Sequence, residues 1–523
     1  MTSGELLSLL PLFLAALVPT SLFIAAFMVS RQQNRFLTVA MVTTTATAGV
    51  TYLAVALRPV LSWLGFDART RATASVMNDV LQLDLVSSAM FVLVSTLALV
   101  VVRYSRTYLA GQRELDRFAR SLLLTVASVS VLVTSNHLAV LVVAWFATDV
   151  GLHSLLTFFR TRRQAIIVAH KKFLLSRLAD ACFVSSILII GGAFGSLRID
   201  VVNDLARSSA TLPPTLHLAT CLLVFGVLLK TAQIPFHGWM QAVMEAPTPV
   251  SALLHAGVVN IGGFVMIRLS PLMAHAYVAQ SILLGVGLFT TITAALVMTT
   301  RVAIKGVLAW STIGQMGFML VQCGLGAWHL ALLHLLAHSV YKAHTFLSSG
   351  SIVQQWRASH ILHHPRMRIW HLFAATILVC IPAAPFYFET VLPVERLPEA
   401  MGPLVLLLGL SFAPMFGRAI AGGRRTFSIA ALFTLGASAA YFGWHILFES
   451  LAPQINAGME ASTTKWTIVV CGLLALYVAQ SLLQTRPNGW FSRWLQPHLV
   501  SGLYIDDWFT RVTFRLWPPG LRQ

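Results

Sequence analysis

One lysine stands inside a largely apolar stretch that ends in a proline. Lys230 follows an apolar run, Pro235 comes five residues later, and Pro249 opens the next apolar run, which carries His255. Proline removes a backbone donor and clashes with the preceding helical turn, so both runs are predicted to be broken helices. An ammonium group beside a break, followed by an imidazole whose charge changes near neutral pH, provides the groups that a proton relay needs.

Two further groups of ionisable residues precede that lysine in the chain. Asp149 is its expected partner, while His153, one helical turn later on the same face, either joins it or has a structural role. Arg177 and Asp180 are three residues apart, with Lys171 or Lys172 about two turns earlier in a helix. This second group is either a neutralised structural ion pair or a breakable contact that sets the pKa of a neighbouring group. For Asp149 we favour function, because ionisable groups at membrane depth are functional by default.

A later apolar segment carries a regular row of titratable groups. His334, His338 and Lys342 are spaced by four residues, so they share one face of a helix. A pair of histidines at this spacing can bind zinc, but the metalloprotease motif needs a glutamate where Leu335 stands, and no third ligand is apparent. A proton relay is the better interpretation of this row.

Two glutamates are weaker candidates. Glu245 lies in the polar bridge between the two broken segments and is either part of the relay or an ordinary surface carboxylate. Glu389 is the only acidic residue close to the twelfth apolar segment, near its end.

The elements that position these residues are transmembrane helices. The chain of 523 residues is 57% hydrophobic and 10% charged, whereas a soluble domain carries roughly 25% charged residues. We count about 15 segments long enough to span a bilayer, each of about 20 residues. The fold class is therefore an all-α polytopic membrane protein with broken helices. We divide it into N-terminal spans (1–80), a core (81–355), C-terminal spans (356–485) and an amphipathic tail (486–523).

The basic residues indicate an orientation. The net charge is +18, and most Lys and Arg residues fall in loops on one side of the membrane if the N-terminus is outside. By the positive-inside rule, the C-terminus is then cytoplasmic. The basic loops bind anionic lipid or an acidic cytoplasmic partner, and the aromatic, basic tail is an interfacial helix or a partner-binding segment. Nucleic-acid binding is not expected, because no basic segment has a soluble fold around it.

The sequence also predicts no metal site and no hydrolase site in this chain. The five cysteines are scattered singly without a CxxC motif, so cysteine ligation of iron–sulfur or zinc is not expected. A Ser–His–Asp arrangement, a paired-carboxylate site and a Gly-rich phosphate loop are absent. We therefore expect a transport subunit and not an enzyme.

Long motifs resemble the antiporter-like subunits of respiratory complex I and of multisubunit cation/proton antiporters. They are Lys230-Thr-Ala-Gln-Ile-Pro-Phe-His-Gly-Trp, Glu245-Ala-Pro-Thr-Pro-Val-Ser-Ala-Leu-Leu-His-Ala, Lys305-Gly-Val-Leu-Ala-Trp-Ser-Thr-Ile-Gly-Gln-Met-Gly and the row on the later segment. The resemblance implies an inverted-repeat core and a proton path. That path would run through Lys230, His255, His334, His338 and Lys342.

Departures from that pattern are similar to another branch of the family. The usual fifth-helix glutamate aligns with Thr148, with Asp149 one residue later, and the twelfth-helix lysine and the long lateral helix have no match. With Lys-Lys-Phe-Leu-Leu-Ser-Arg-Leu-Ala-Asp, these features most resemble the membrane subunits of DAB inorganic-carbon accumulation complexes. The resemblance implies a bacterial inner membrane. It also implies a cytoplasmic DabA-like zinc partner, similar to β-carbonic anhydrases, that holds the zinc and hydrates CO2 while this chain conducts protons.

Other functions are weighed against this one. A proton-pumping subunit of a complex I-like NADH–quinone oxidoreductase would need the lateral helix and the exit lysine. A cation/proton antiporter subunit would have no enzymatic partner. A purely structural scaffold would have no reason to keep lysines at membrane depth, where each costs about 2.5–3.5 kcal/mol.

Overall fold

The chain folds as a bundle of α-helices. The computed structural model describes residues 3–29, 36–63, 76–112, 114–159, 162–209, 211–241, 245–351, 369–380, 401–451 and 462–517. Within these residues there is no β-strand, only isolated bridges between Leu81 and Ser135 and between His137 and Arg198. The predicted all-α class is confirmed.

The helices are numbered in chain order. The first nine are α1 (Ser3–Val29), α2 (Phe36–Trp63), α3 (Val76–Val80), α4 (Leu85–Tyr108), α5 (Leu115–Thr134), α6 (Leu138–Leu156), α7 (Arg163–Phe194), α8 (Ile199–Ser208) and α9 (Pro214–Lys230). The next seven are α10 (Gly238–Gln241), α11 (Thr248–Ala256), α12 (Ile261–Arg268), α13 (Ser270–Ala274), α14 (Tyr277–Met298), α15 (Ile304–Gly324) and α16 (Trp328–Leu347). The last six are α17 (Ile369–Cys380), α18 (Met401–Gly422), α19 (Arg424–Leu451), α20 (Thr463–Thr485), α21 (Trp490–Val500) and α22 (Ile505–Leu516).

The helices are those of a multi-pass membrane protein. In the described residues, 11 helical segments are long and apolar enough to cross a bilayer, α11 and α12 together forming one of them, and α9 is a shorter apolar helix. One predicted segment without a counterpart among these is α16, because its histidines and Lys342 lower its mean hydropathy. Of the predicted segment 369–388, the structure describes Ile369–Cys380.

Helix packing divides the chain into two compact units. The first contains Met1–Leu283, Ala331–Ser348 and Ile505–Gln523, and the second contains Leu284–Leu330 and Ser349–Tyr504. The last helix, α22, therefore packs with the N-terminal part of the chain.

Both predicted helix breaks are present in the first unit. Helix α9 ends at Lys230, and the chain continues without regular helix through a cis Ile234–Pro235 bond to α10. The backbone N–H of Gln233 donates to the Leu228 carbonyl at 3.3 Å, and its side-chain amide donates to the Thr231 carbonyl at 3.0 Å. The interrupted backbone therefore finds partners within its own turn, as a buried break requires.

The second break divides α11 from α12. A short 3-10 turn, Val258–Asn260, separates them, and all three elements are buried. The Asn260 side chain donates to the Ala256 carbonyl at 2.9 Å and to the Ser339 hydroxyl of α16 at 2.6 Å. The break that follows His255 is thus joined to the helix that carries His334 and His338.

Glycines allow close helix crossings in both units. In the first, a Cβ atom at Gly226 of α9 would lie 2.5 Å from the Phe183 ring of α7, so these helices meet one turn before Lys230. In the second, α14 and α15 cross at Gly287 and Gly317, where a Cβ on Gly317 would lie 2.7 Å from the Gly287 carbonyl oxygen.

The α14–α15 crossing predicts a stability difference between two glycine variants. Gly317→Ala must displace the facing backbone, which costs about 1–3 kcal/mol for an overpacked core. Gly285→Ala adds the same methyl group on α14 where no atom lies within 4 Å, and gains about 0.5–1 kcal/mol of helix propensity. Thermal unfolding of the purified variants in detergent, followed by tryptophan fluorescence, should give a lower midpoint for Gly317→Ala only. Equal midpoints would contradict the close crossing.

Candidate functional site

Five ionisable side chains meet in one buried cluster between α6, α7 and α9. The Lys230 ammonium lies 2.7 Å from a carboxylate oxygen of Asp149 and 2.6 Å from one of Asp180. Lys172 contacts the other oxygen of Asp149 at 2.5 Å, and Arg177 contacts the other oxygen of Asp180 at 2.9 Å. We call these five residues the ionic cluster. The expected contact between Asp149 and Lys230 is present.

Cations and carboxylates alternate in the ionic cluster. Lys172, Asp149, Lys230, Asp180 and Arg177 follow one another, each within hydrogen-bond distance of the next. A further contact of 3.7 Å joins Arg177 to Asp149. Three cations face two carboxylates, so the fully ionised cluster carries one uncompensated positive charge.

Exposure rises from one end of the ionic cluster to the other. The side chains of Lys230 and Asp149 are each 3% exposed, that of Asp180 is 13% exposed and that of Arg177 is 26% exposed. Charges at such depth are tolerated only when they are paired and hydrogen-bonded. The Arg177–Asp180 end is therefore the less enclosed end of the ionic cluster.

Aromatic rings surround the cations. The Lys230 nitrogen lies 4.8 Å from the ring centroid of Trp145 and 5.4 Å from that of Phe183. The Arg177 guanidinium lies 4.0 Å from the ring of Phe146. Ring faces stabilise cations without neutralising them, so the excess charge of the ionic cluster is preserved.

His153 does not belong to the ionic cluster. It lies one turn from Asp149, but no hydrogen bond or ion pair joins the two side chains in the described part of the chain. Its ring stacks at 6.2 Å from His170 and at 6.3 Å from Trp517, which follows α22. Asp149 and His153 thus lie one turn apart on α6, as predicted from the sequence, but their side chains contact different residues.

A second group of titratable side chains lies on α11 and α16. Lys342 is fully buried, His255 is 1% exposed and His338 is 5% exposed. His338 is within electrostatic range of His255, His334 and Lys342, and the ring centroids of His334 and His338 are 6.0 Å apart. We call these four residues the histidine row.

The histidine row is not a continuous hydrogen-bonded chain. Among the described residues, neither ring nitrogen of His338 has a hydrogen-bond partner. The His255 ring is held by stacking on Phe346, with centroids 4.3 Å apart. Proton transfer along the row therefore needs bridging water molecules, which satisfy separated polar groups at little cost.

The weaker candidates lie elsewhere. Glu245 forms an exposed ion pair with Arg162 at 3.0 Å. Lys305 lies in the first turn of α15, in the second compact unit. Glu389 lies outside the described residues. Within those residues, no group of three or more His, Cys, Asp and Glu side chains is arranged to hold a metal ion.

Sequence reasoning missed the contact between the C-terminal helix and α7. The Lys171 ammonium lies 2.6 Å from the carboxylate of Asp506 and 2.9 Å from the hydroxyl of Thr510, both on α22. The Lys171-Lys172 doublet and the acidic start of α22 were the available signals. They carry no information about which distant segments meet.

A balanced ion pair also joins α12 to the start of α4. Arg268 is buried and pairs with Asp84, which caps the N-terminus of α4 by accepting from Ser87 N–H at 2.8 Å. Arg268 also donates to the Gln82 side chain at 3.1 Å. One cation meets one carboxylate here, so no charge is left over.

Known proteins resemble this chain over most of its length. Residues 135–388 match the family described as NADH:quinone oxidoreductase/Mrp antiporter, TM. A probable inorganic carbon transporter subunit DabB of Hydrogenovibrio crunogenus is 38% identical over 440 residues, which cover 83% of each chain. A protein of the same description from Bacillus subtilis is 32% identical over 399 residues, covering 75% of this chain and 77% of that protein.

A solved structure shows the same fold. A chain in the Mrp complex of Dietzia sp. DQ12-45-1b superposes with a TM-score of 0.65 at 20% sequence identity. The superposition covers 97% of this chain, which spans 60% of that longer chain. The likeness supports the predicted antiporter-like fold.

The ionic cluster predicts unequal effects for two Asp→Asn variants. Asp149→Asn leaves Lys172 and Lys230 without a shared carboxylate inside the protein, and breaking a buried pair lowers the free energy of unfolding by about 3–5 kcal/mol. Asp204→Asn removes the same charge from an i,i+3 pair with Arg207, where the aspartate side chain is 73% exposed. That loss should stay below about 1 kcal/mol.

Thermal unfolding of the two purified variants beside the wild type measures this difference. A similar small shift for both would mean that the Asp149 site is solvated, contrary to its burial.

Proposed function

Because the chain belongs to the family of DabB inorganic carbon transporter subunits, we propose that it conducts protons through the membrane in a complex that takes up inorganic carbon, as CO2 or bicarbonate. The observation that supports this function is the sharing of the Lys230 ammonium between Asp149 and Asp180, at 2.7 and 2.6 Å.

Charge balance is compatible with proton release from Lys230, which we propose as the member of the ionic cluster that releases a proton. Asp149 keeps Lys172 as a partner and Asp180 keeps Arg177, so each carboxylate remains paired when Lys230 is neutral. The cluster then holds two cations and two anions. Loss of a proton from Lys230 removes the excess charge, whereas its return restores it at a site that two carboxylates stabilise.

The two carboxylates also give the proton a route. Lys230 is within 2.7 Å of both, and Asp180 leads to the more exposed end of the ionic cluster. Such distances lie in the range for direct proton transfer between side chains. Beyond Lys230, the histidine row continues the proposed path through bridging water, and the break after His255 provides backbone groups that can bind this water.

The partner supplies the chemistry of carbon in this proposal. A DabA-like cytoplasmic zinc protein would hydrate CO2 and hold the zinc, and proton flow through this chain would make that reaction effectively one-way. The chain itself is a transport subunit. The N-terminus lies outside and the C-terminus in the cytoplasm of a bacterial inner membrane, as the distribution of basic loops favours.

Affinity purification of the tagged protein from membranes tests the assembly. A co-purifying zinc protein similar to carbonic anhydrases is the expected result. Redox subunits or additional antiporter subunits would instead indicate a complex I-like pump or a multisubunit cation/proton antiporter. In both cases the proposed proton path would be retained, and its proposed coupling to carbon uptake would be rejected.

Two substitutions of Lys230 test proton release. Lys230→Ala should abolish proton flux, because no proton carrier remains between the aspartates. Lys230→Arg keeps the charge and the ion pairs, but guanidinium does not deprotonate in proteins, so flux should also be lost. Lys465→Ala, at the start of α20, is the matched lysine control and should conduct normally.

Proton flux is measured with a pH-sensitive dye in proteoliposomes that contain the assembled complex. The partner content is determined for every variant. Normal flux in well-assembled Lys230→Arg would show that the lysine has only a structural role as a cation.

A further inference from the structure

The C-terminal helix α22 lies directly against the helix that carries half of the ionic cluster. Asp506 and Thr510 bind the Lys171 ammonium at 2.6 and 2.9 Å. One residue earlier, His170 stacks on Trp517 with ring centroids 3.9 Å apart. Two successive residues of α7 therefore hold the C-terminal segment, and the third, Lys172, holds Asp149.

The same carboxylate also rests on the first broken segment. A Cβ atom added to Gly238, the first residue of α10, would lie 1.4 Å from a carboxylate oxygen of Asp506, so only glycine permits this approach. Nearby, the Phe236 ring meets Phe509 of α22 edge-on, with centroids 5.2 Å apart. Asp506 thus touches α7 and the segment that follows Lys230 at once.

Lys171 and Lys172 point to different neighbours because successive helical residues are about 100° apart around the axis. The Lys171 side chain is 5% exposed and has only Asp506 and Thr510 as polar partners among the described residues. Without the Asp506 carboxylate, its ammonium would be buried without a counter-charge and would have to leave its position. The backbone that would move with it carries Lys172.

We propose that Asp506 is a positioning residue for proton conduction: by holding Lys171 and resting on Gly238, it fixes α7 and the broken segment so that Lys172 and Lys230 both meet Asp149. This inference rests on the proposed function, because its effect is on proton flux through Lys230. It assigns the C-terminal helix a part in the conducting site in addition to any role at the membrane interface or with a partner.

The first test removes the charge of Asp506 in the assembled complex. Asp506→Asn should lower proton flux by about tenfold, the change expected from one lost charge-assisted hydrogen bond. Asp507→Asn removes the neighbouring exposed carboxylate and should conduct like the wild type. Partner content should be unchanged in both variants.

The second test displaces Asp506 without changing any charge. Gly238→Ala places a methyl group where the carboxylate lies and should reduce flux as Asp506→Asn does. Gly192→Ala, on α7 with no atom within 4 Å of the added methyl, is the matched control and should retain flux.

The third test exchanges the two charges. Asp506→Lys and Lys171→Asp should each reduce flux, and the double variant should recover at least half of it, because the ion pair is re-formed with reversed polarity. Recovery in an equally well assembled double variant would show that the ion pair itself, and not either residue alone, sustains flux.

The outcomes separate this inference from the proposed function. Flux that persists in Lys230→Ala would overturn the proposed function and this inference with it. Flux lost in Lys230→Ala but normal in both Asp506→Asn and Gly238→Ala would overturn the positioning role alone. If the complex does not assemble with Asp506→Asn, the other two tests decide. Normal flux in Gly238→Ala, or no recovery of flux in the double variant, would then overturn the positioning role.

Discussion

The structure depends on one shared ammonium group inside an apolar helix bundle. Lys230 lies between Asp149 and Asp180, and its removal from water is stabilised only because both carboxylates are within 2.7 Å. This geometry requires three helices to meet at one depth. The small residue Gly226 lets α7 and α9 approach where the lysine begins its contacts. Helix packing and charge pairing therefore both depend on the position of Lys230, so a change in one disturbs the other.

The broken helices follow from that constraint. A continuous α9 would carry its backbone past Lys230 with all carbonyl and amide groups paired, leaving nothing polar to bind water. Ending α9 at Lys230 and interrupting the chain after His255 places backbone carbonyls that are paired with side chains next to titratable residues. The amide side chains of Gln233 and Asn260 satisfy part of each break. The breaks thus remain compatible with burial while providing polar surroundings for protons.

The sequence was sufficient for the fold class, because apolar run lengths reveal helices. It also named Asp149 as the counter-charge of Lys230, but only the structure shows that the two side chains face each other. The same reasoning placed His153 beside Asp149, whereas its ring faces His170 and Trp517. Periodicity assigns residues to a helix face but does not identify the element packed on that face. The contact between Lys171 and Asp506 joins segments more than 300 residues apart, and no local pattern encodes it.

Burial of charge is not by itself a sign of proton transfer, as a comparison within this chain shows. Arg268 and Asp84 form a balanced pair in which the cation is as buried as Lys230, yet arginine holds its proton under all physiological conditions. That pair fastens α12 to the start of α4 and has no second charge state. The ionic cluster differs because three cations share two carboxylates and the central cation is a lysine. In the proposed function the odd charge is the one that Lys230 releases. The cluster then has two charge states, and both carboxylates stay paired in each of them.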